Sequence, residues 1–218
     1  MNATTRGQVQ AELDELIGVL REIPDVDWDK PSACDGFRVR DVAAHLSLVA
    51  VPLNGRILNG FAGSFSRFMR LAGEYSREVA DESTPAELIE KLEQRRAAPT
   101  KGFIGKIEPP QNMLTDHATH LQDVRVGLDR RAEPDKDRAR VVLEAAVKLW
   151  RPITWGTKQR AKGLRLTATD IGWSHGDGPE VSGPYDAMLL ALGGRSAGLA
   201  SLTGDGLATL TSRMPTSA

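Results

Sequence analysis

The chain has 218 residues, 40% of them hydrophobic, with a formal charge of −1, enough to bury a sizeable core in one large domain or two small ones. A near-neutral balance supplies no basic footprint, which argues against nucleic acid or an anionic membrane as partner and for a small molecule or a protein. Cys34 is the only cysteine, so an intrachain disulfide and a cysteine-rich zinc knuckle are both excluded and any bound metal must use histidine and carboxylate.

The polar start Met1-Asn2-Ala3-Thr4-Thr5-Arg6 leads straight into amphipathic sequence, and no apolar run is long enough to span a bilayer, so the expected location is the cytoplasm. A first helix is expected from about Thr5 to Glu22, where Val9, Leu13, Leu16, Ile17 and Leu20 recur at helical spacing before Pro24 ends it. A loop through Pro31 and Gly36 follows. From Arg38 a second stripe, Val39, Val42, Leu46, Val49 and Leu53, carries His45 and is broken by Pro52 and Gly55.

The stretch from Phe61 to Ala98 predicts two shorter helices. The later one opens at Thr84-Pro85-Ala86-Glu87, where threonine caps, proline takes the first turn and glutamate closes the capping box. Another helix starts after Pro109-Pro110, runs to Gly127 and bears His117 and His120. A further one spans Asp135 to Trp150, with Val141, Val142, Ala145 and Leu149 on one side. Together these predict an up-and-down helical bundle.

The pattern changes near Trp150-Arg151-Pro152, which sets a helical domain over 1–151 apart from a small α/β domain over 152–218. Leu164-Arg165-Leu166-Thr167-Ala168-Thr169 alternates with period two, and a β-hairpin is expected with its turn in Ser174-His175-Gly176-Asp177-Gly178-Pro179. Gly183-Pro184-Tyr185-Asp186 opens a short helix through Leu192, stopped by Gly193-Gly194, and Leu199 to Thr203 is expected to return as a strand. The fold class is α+β, a helical bundle followed by a short antiparallel sheet.

The chemistry depends on where the histidines point. At about 100° per residue, His45 falls beside Val42 and Val49 at the edge of its stripe. On the later helix Met113, Leu121, Val124 and Leu128 define the buried side, with His120 inside it and Asp116 one turn earlier, toward the edge. Asp116 and His120 stack at i and i+4, a sound way to supply two metal ligands, with His45 as a third from another helix. His117 also falls in the stripe and pairs with His120 at i and i+3, so it is an alternative to Asp116. The competing reading makes each histidine a core residue satisfied by a neighbouring carbonyl or carboxylate.

Other residues read more plainly. Asp123 has two readings, a partner for an imidazole N–H or a flank residue facing water, and the second is favoured. Asp41 sits in a first helical turn, where a carboxylate favours the dipole. Cys34 has no identifiable base and reads as a small buried hydrophobe. His175 lies in a glycine-rich turn and is expected in solvent. Trp150, Trp155 and Trp173 surround the expected domain boundary and read as packing.

The run from Trp28 through Pro31-Ser32-Ala33-Cys34-Asp35-Gly36-Phe37-Arg38-Val39-Arg40-Asp41-Val42-Ala43-Ala44-His45-Leu46 resembles the signature of the mycothiol-dependent maleylpyruvate isomerase family, part of the DinB-like metalloproteins. It keeps the family's spacing, with Phe37 where tryptophan is usual. Asp116-His117-Ala118-Thr119-His120-Leu121-Gln122-Asp123 resembles the second motif, with aspartate in place of glutamate. Leu166 to Asp170, Gly183-Pro184 and Leu192-Gly193-Gly194-Arg195 resemble the family's C-terminal domain.

What the resemblance implies is a divalent metal, zinc, held by His45, Asp116 and His120, with Arg195 reaching the same cleft as the catalytic arginine. It implies mycothiol as the low-molecular-weight thiol cosubstrate: its thiolate adds to a conjugated double bond, the bond rotates, and elimination leaves the trans isomer. Arg195 would clamp a substrate carboxylate or a developing enolate. Isomerisation and thiol S-transfer both remain open within this reading. The alternatives are a metal-binding protein without turnover, acting as a sensor or interaction module, and a metal-free scaffold that keeps only the fold.

Overall fold

A computed structural model describes residues 3–48, 65–97, 110–148 and 156–215. The chain divides into two compact units, Met1–Pro110 and Gln111–Ala218. The boundary expected near Trp150-Arg151-Pro152 lies outside the described residues, as do Trp150 and Trp155.

In the first unit the helices are α1 (Ala3–Glu22), α2 (Val39–Leu48), α3 (Phe65–Asp81) and α4 (Pro85–Ala97), with a 3₁₀ turn at Asp25–Asp29. Helix α2 packs against α3 and α4, and α4 also meets α1. The core holds the helical stripes read from sequence, Val9, Leu13, Leu16 and Leu20 of α1 and Val39, Val42 and Leu46 of α2, joined by Leu88 and Leu92 of α4, all at most 1% exposed. The expected capping box is present, with Thr84 N donating to Glu87 Oε2 at 2.8 Å and Glu87 N donating to Thr84 Oγ1 at 3.3 Å. The part of the second stripe at Val49 and Leu53 lies outside the described residues.

The second unit holds α5 (Pro110–Gly127), α6 (Lys136–Lys148), a short α7 (Thr157–Ala161), three strands β1 (Arg165–Ala168), β2 (Trp173–His175) and β3 (Glu180–Gly183), then α8 (Tyr185–Leu192) and α9 (Leu207–Thr211). Helix α5 is buried on nearly every face, polar residues included: Thr119 and Asp123 are 0% exposed, His117 1% and His120 2%. A helix this polar is not buried to make an oily core, and its inward polar groups need partners of their own.

Three expectations for the C-terminal part change. The sheet is mixed rather than antiparallel, in the order β2-β1-β3: β1 pairs antiparallel with β2 and parallel with β3. The hairpin turn falls between Ala168 and Trp173, and the run from Gly176 to Pro179 instead carries the chain back to the far edge of β1. Alternation marks a strand without naming its neighbour, so period two could not distinguish these pairings. Leu199 to Thr203 is not a strand. Ser196–Ser201 forms a 3₁₀ turn, and only Thr203 bridges to Ser182, through two backbone hydrogen bonds of 2.8 and 2.9 Å. The turn crosses α8 so closely that a Cβ on Gly198 would lie 2.5 Å from Ala187 O and 2.6 Å from Ala191 N.

Trp173 is buried, donates from Nε1 to Glu144 Oε1 on α6 at 2.9 Å, and stacks on His175 with ring centres 5.9 Å apart. His175 is thus half-buried against an indole rather than fully in solvent. Among the described residues, no helix is long and apolar enough to cross a membrane.

Candidate functional site

In the first unit, His45 is set by the way α2 begins. Arg38, just before the helix, donates its backbone N–H to Asp41 Oδ2 at 2.7 Å, and its side chain forks onto the same carboxylate at 3.0 and 2.8 Å. The guanidinium also reaches Asp81 of α3 at 2.6 Å and Asp29 at 3.3 Å. The hydrogen bond to Asp41 holds Arg38 above its ordinary pKa against the opposing effect of burial. Asp41 therefore caps the first turn of α2, where its carboxylate also favours the dipole, and Arg38 ties the start of α2 to α3.

One turn on, His45 is half-buried, with Nδ1 3.5 Å from Ser76 Oγ of α3. Phe37 meets its ring edge-on, centroids 6.1 Å apart, and Arg77 lies over the other aromatic ring at 5.6 Å. Cys34 is half-buried in the preceding turn, its N–H 3.2 Å from Ser32 Oγ.

In the second unit, α5 brings Asp116, His120 and Asp123 onto one side. His120 Nε2 lies 3.7 Å from Asp116 Oδ1, and Nδ1 lies 2.9 Å from Asp123 Oδ2. Arg195 completes the row: Nε to Asp123 Oδ1 at 3.1 Å, Nη2 to Asp123 Oδ2 at 2.9 Å, and Nη1 to the Gly193 carbonyl at 2.8 Å. A fork-on-fork pair of this kind is among the stronger hydrogen-bonded ion pairs. Burial by itself would push the Asp123 carboxyl up, but the Arg195 charge and the His120 hydrogen bond outweigh it and hold Asp123 below the ordinary carboxylate range.

Asp123 was expected to face water; it is instead completely buried between His120 and Arg195. The signal was present in the i,i+3 spacing from His120 and in the apolar neighbours Leu121 and Val124, but a partner 72 residues away could not be read from spacing. His117, the alternative ligand, is 1% exposed. Among the described residues, the candidate ligands grouped with His120 include Asp116 and Asp123 but not His117.

Chemically, a carboxylate 2.9 Å from Nδ1 can hold a proton on that nitrogen, and a metal would then be bound through Nε2, the atom on the Asp116 side. Imidazole nitrogens and a carboxylate oxygen are a donor set that suits zinc and other divalent ions with nitrogen and oxygen ligands. The arrangement on α5 thus fits a metal by donor chemistry and by ring orientation.

The family model described as the mycothiol maleylpyruvate isomerase N-terminal domain matches residues 9–125. Two solved structures share the fold. One is the mycothiol-dependent maleylpyruvate isomerase, 16% identical with a TM-score of 0.56, covering 97% of this chain and 94% of that one. The other is a histidine-to-alanine mutant of the mycothiol-dependent maleylpyruvate isomerase, 15% identical, with the same TM-score of 0.56 and the same coverage of 97% and 94%. No curated protein sequence matches.

Proposed function

The chain belongs to the mycothiol maleylpyruvate isomerase family, and from that premise we propose that it is a thiol-dependent metalloenzyme acting on a small organic substrate. In this reading His45, Asp116 and His120 hold a divalent metal, zinc by donor type, mycothiol is the cosubstrate, and the reaction is isomerisation or thiol S-transfer. Residues 1–151 act as the metal-holding helical domain, and 152–218 as the small C-terminal domain that contributes Arg195.

The observation that carries the proposal is the row Asp116, His120, Asp123, Arg195, which orients one imidazole from both ends. A metal bound there would supply Lewis-acid activation of a thiol, lowering its pKa so that the nucleophilic thiolate is present at neutral pH. The protein's own contribution is orientation. Asp123 holds a proton on His120 Nδ1, Arg195 keeps Asp123 ionised, and Asp116 offers its carboxylate to the same side as Nε2. Arg195 is proposed as the catalytic arginine, a fixed positive charge for a substrate carboxylate or for the negative charge that develops as the thiol adds.

The test is mycothiol-dependent conversion of maleylpyruvate and related unsaturated acids by the purified chain, before and after chelation. Turnover that is lost on chelation and restored by zinc is the expected result. Turnover that survives chelation removes the metal from the reaction. A cobalt-loaded sample whose spectrum ignores mycothiol favours the metal-binding reading without turnover.

A further inference from the structure

Arg160, on α7, is a buried cation that the proposed reaction does not use. Only 6% of it is exposed, and Nε donates to the carbonyl of Leu192, the last residue of α8, at 2.7 Å. Arg195 Nη1 donates to the next carbonyl, that of Gly193, at 2.8 Å. Two guanidinium groups therefore hold successive carbonyls where α8 ends, a place where the unsatisfied C=O groups favour positive charge.

Space for Arg160 comes from two glycines in the left-handed region. A Cβ on Gly194, at φ +86°, would lie 3.3 Å from Arg160 Nη2, and one on Gly156, at φ +72°, would lie 3.4 Å from Nη1. Among the described residues, no carboxylate pairs with Arg160, and its buried Nη2 has no hydrogen-bond partner. Burial first, and the nearby charge of Arg195 second, bring Arg160 down to about 10. A single carbonyl could be held without burying a second cation beside the first, so capping alone does not account for an arginine here.

We propose that Arg160 is a positioning residue for Arg195: it clamps the Leu192–Gly194 turn through the Leu192 carbonyl, and so fixes the backbone from which Arg195 reaches Gly193 O and Asp123. The consequence runs along the row to His120, because Asp123 is fixed only as firmly as the guanidinium that grips it.

The importance of this role rests on Arg195 belonging to the site; its measurement does not. The readout is solvent exchange of the Arg195 Nε–H by NMR, in the full chain without added metal, the resonance being assigned by its loss in Arg195→Lys. Arg160→Met is expected to speed that exchange by about tenfold or more, and Arg160→Lys, which keeps the charge but not the fork, by less. Val181→Ala, at a buried position in β3 of the same unit, controls for general loosening and is expected to leave the exchange unchanged. The proposal is overturned if exchange is unaltered in Arg160→Met, or if Val181→Ala speeds it equally. Should Arg160→Met not fold, Arg160→Lys decides: faster exchange supports the role, wild-type exchange removes it. Absence of metal binding or turnover would sink the enzymatic reading and leave this result standing.

Discussion

Arg195 grips both oxygens of Asp123, at 3.1 and 2.9 Å, across 72 residues of sequence, and neither side chain is more than 8% exposed. Removing either partner leaves the other buried without its counter-charge. Asp123→Asn and Arg195→Met are each expected to destabilise the fold by about 3–5 kcal/mol, measured by urea denaturation. A loss under about 1 kcal/mol in both would mean that the pair is not held as described.

The same pair sets an acid limb. The folded pKa of Asp123 is depressed, so its contribution is fully present above the ordinary carboxylate pKa. It is lost as pH falls through that value toward the lower folded one, because the unfolded chain takes up the proton first. Wild type should lose stability over this window more steeply than Asp123→Asn. Parallel acid limbs for the two proteins would contradict it.

Metal content separates the proposed ligands from their neighbours. His45→Ala and His120→Ala should each reduce zinc retained through purification by about tenfold or more, while Cys34→Ser leaves it unchanged. Asp116→Glu, which keeps the carboxylate, should retain zinc at least as well as wild type. Elemental analysis decides each case, and His117→Ala retaining metal while Asp116→Ala loses it would settle the choice between those two side chains.

Gly198 is where the 3₁₀ turn touches α8, with a Cβ calculated to fall 2.5 Å from Ala187 O and 2.6 Å from Ala191 N. Both obstacles are backbone atoms of a helix and cannot swing aside. Gly198→Ala is therefore expected to cost about 1–3 kcal/mol or more, and a thermal melt indistinguishable from wild type would show that the turn has room to spare.

The start of α4 gives a milder test. Thr84→Ala removes the hydroxyl that accepts from Glu87 N at 3.3 Å and donates to Glu87 Oε2 at 2.9 Å. A loss of about 0.5–2 kcal/mol is expected, with Thr84→Ser recovering most of it in the same denaturation assay.

Local chemistry was legible in the residues themselves. Apolar spacing located α1, α5 and α6 to within a few residues, Pro24 and Gly127 marked ends, and Thr84 with Glu87 announced the cap that opens α4, because each depends on residues within a turn or two. The i,i+4 pair Asp116 and His120 is local in the same sense, and it stands together on α5. Motif spacing, which resembled a known family, also anticipated the family that the chain matches.

What lay beyond reach was pairing across long stretches of chain. Alternation in β1 could not say that β3 would join it in parallel, since a strand offers the same backbone donors and acceptors to either direction of neighbour. Nor could the counter-charge that lets Asp123 be buried be read from its own helix, whose spacing only hinted at an inward side. A carboxylate is kept out of water only where a fixed opposite charge replaces its solvation, and that charge, Arg195, arrives from the turn after α8 through the tertiary fold alone.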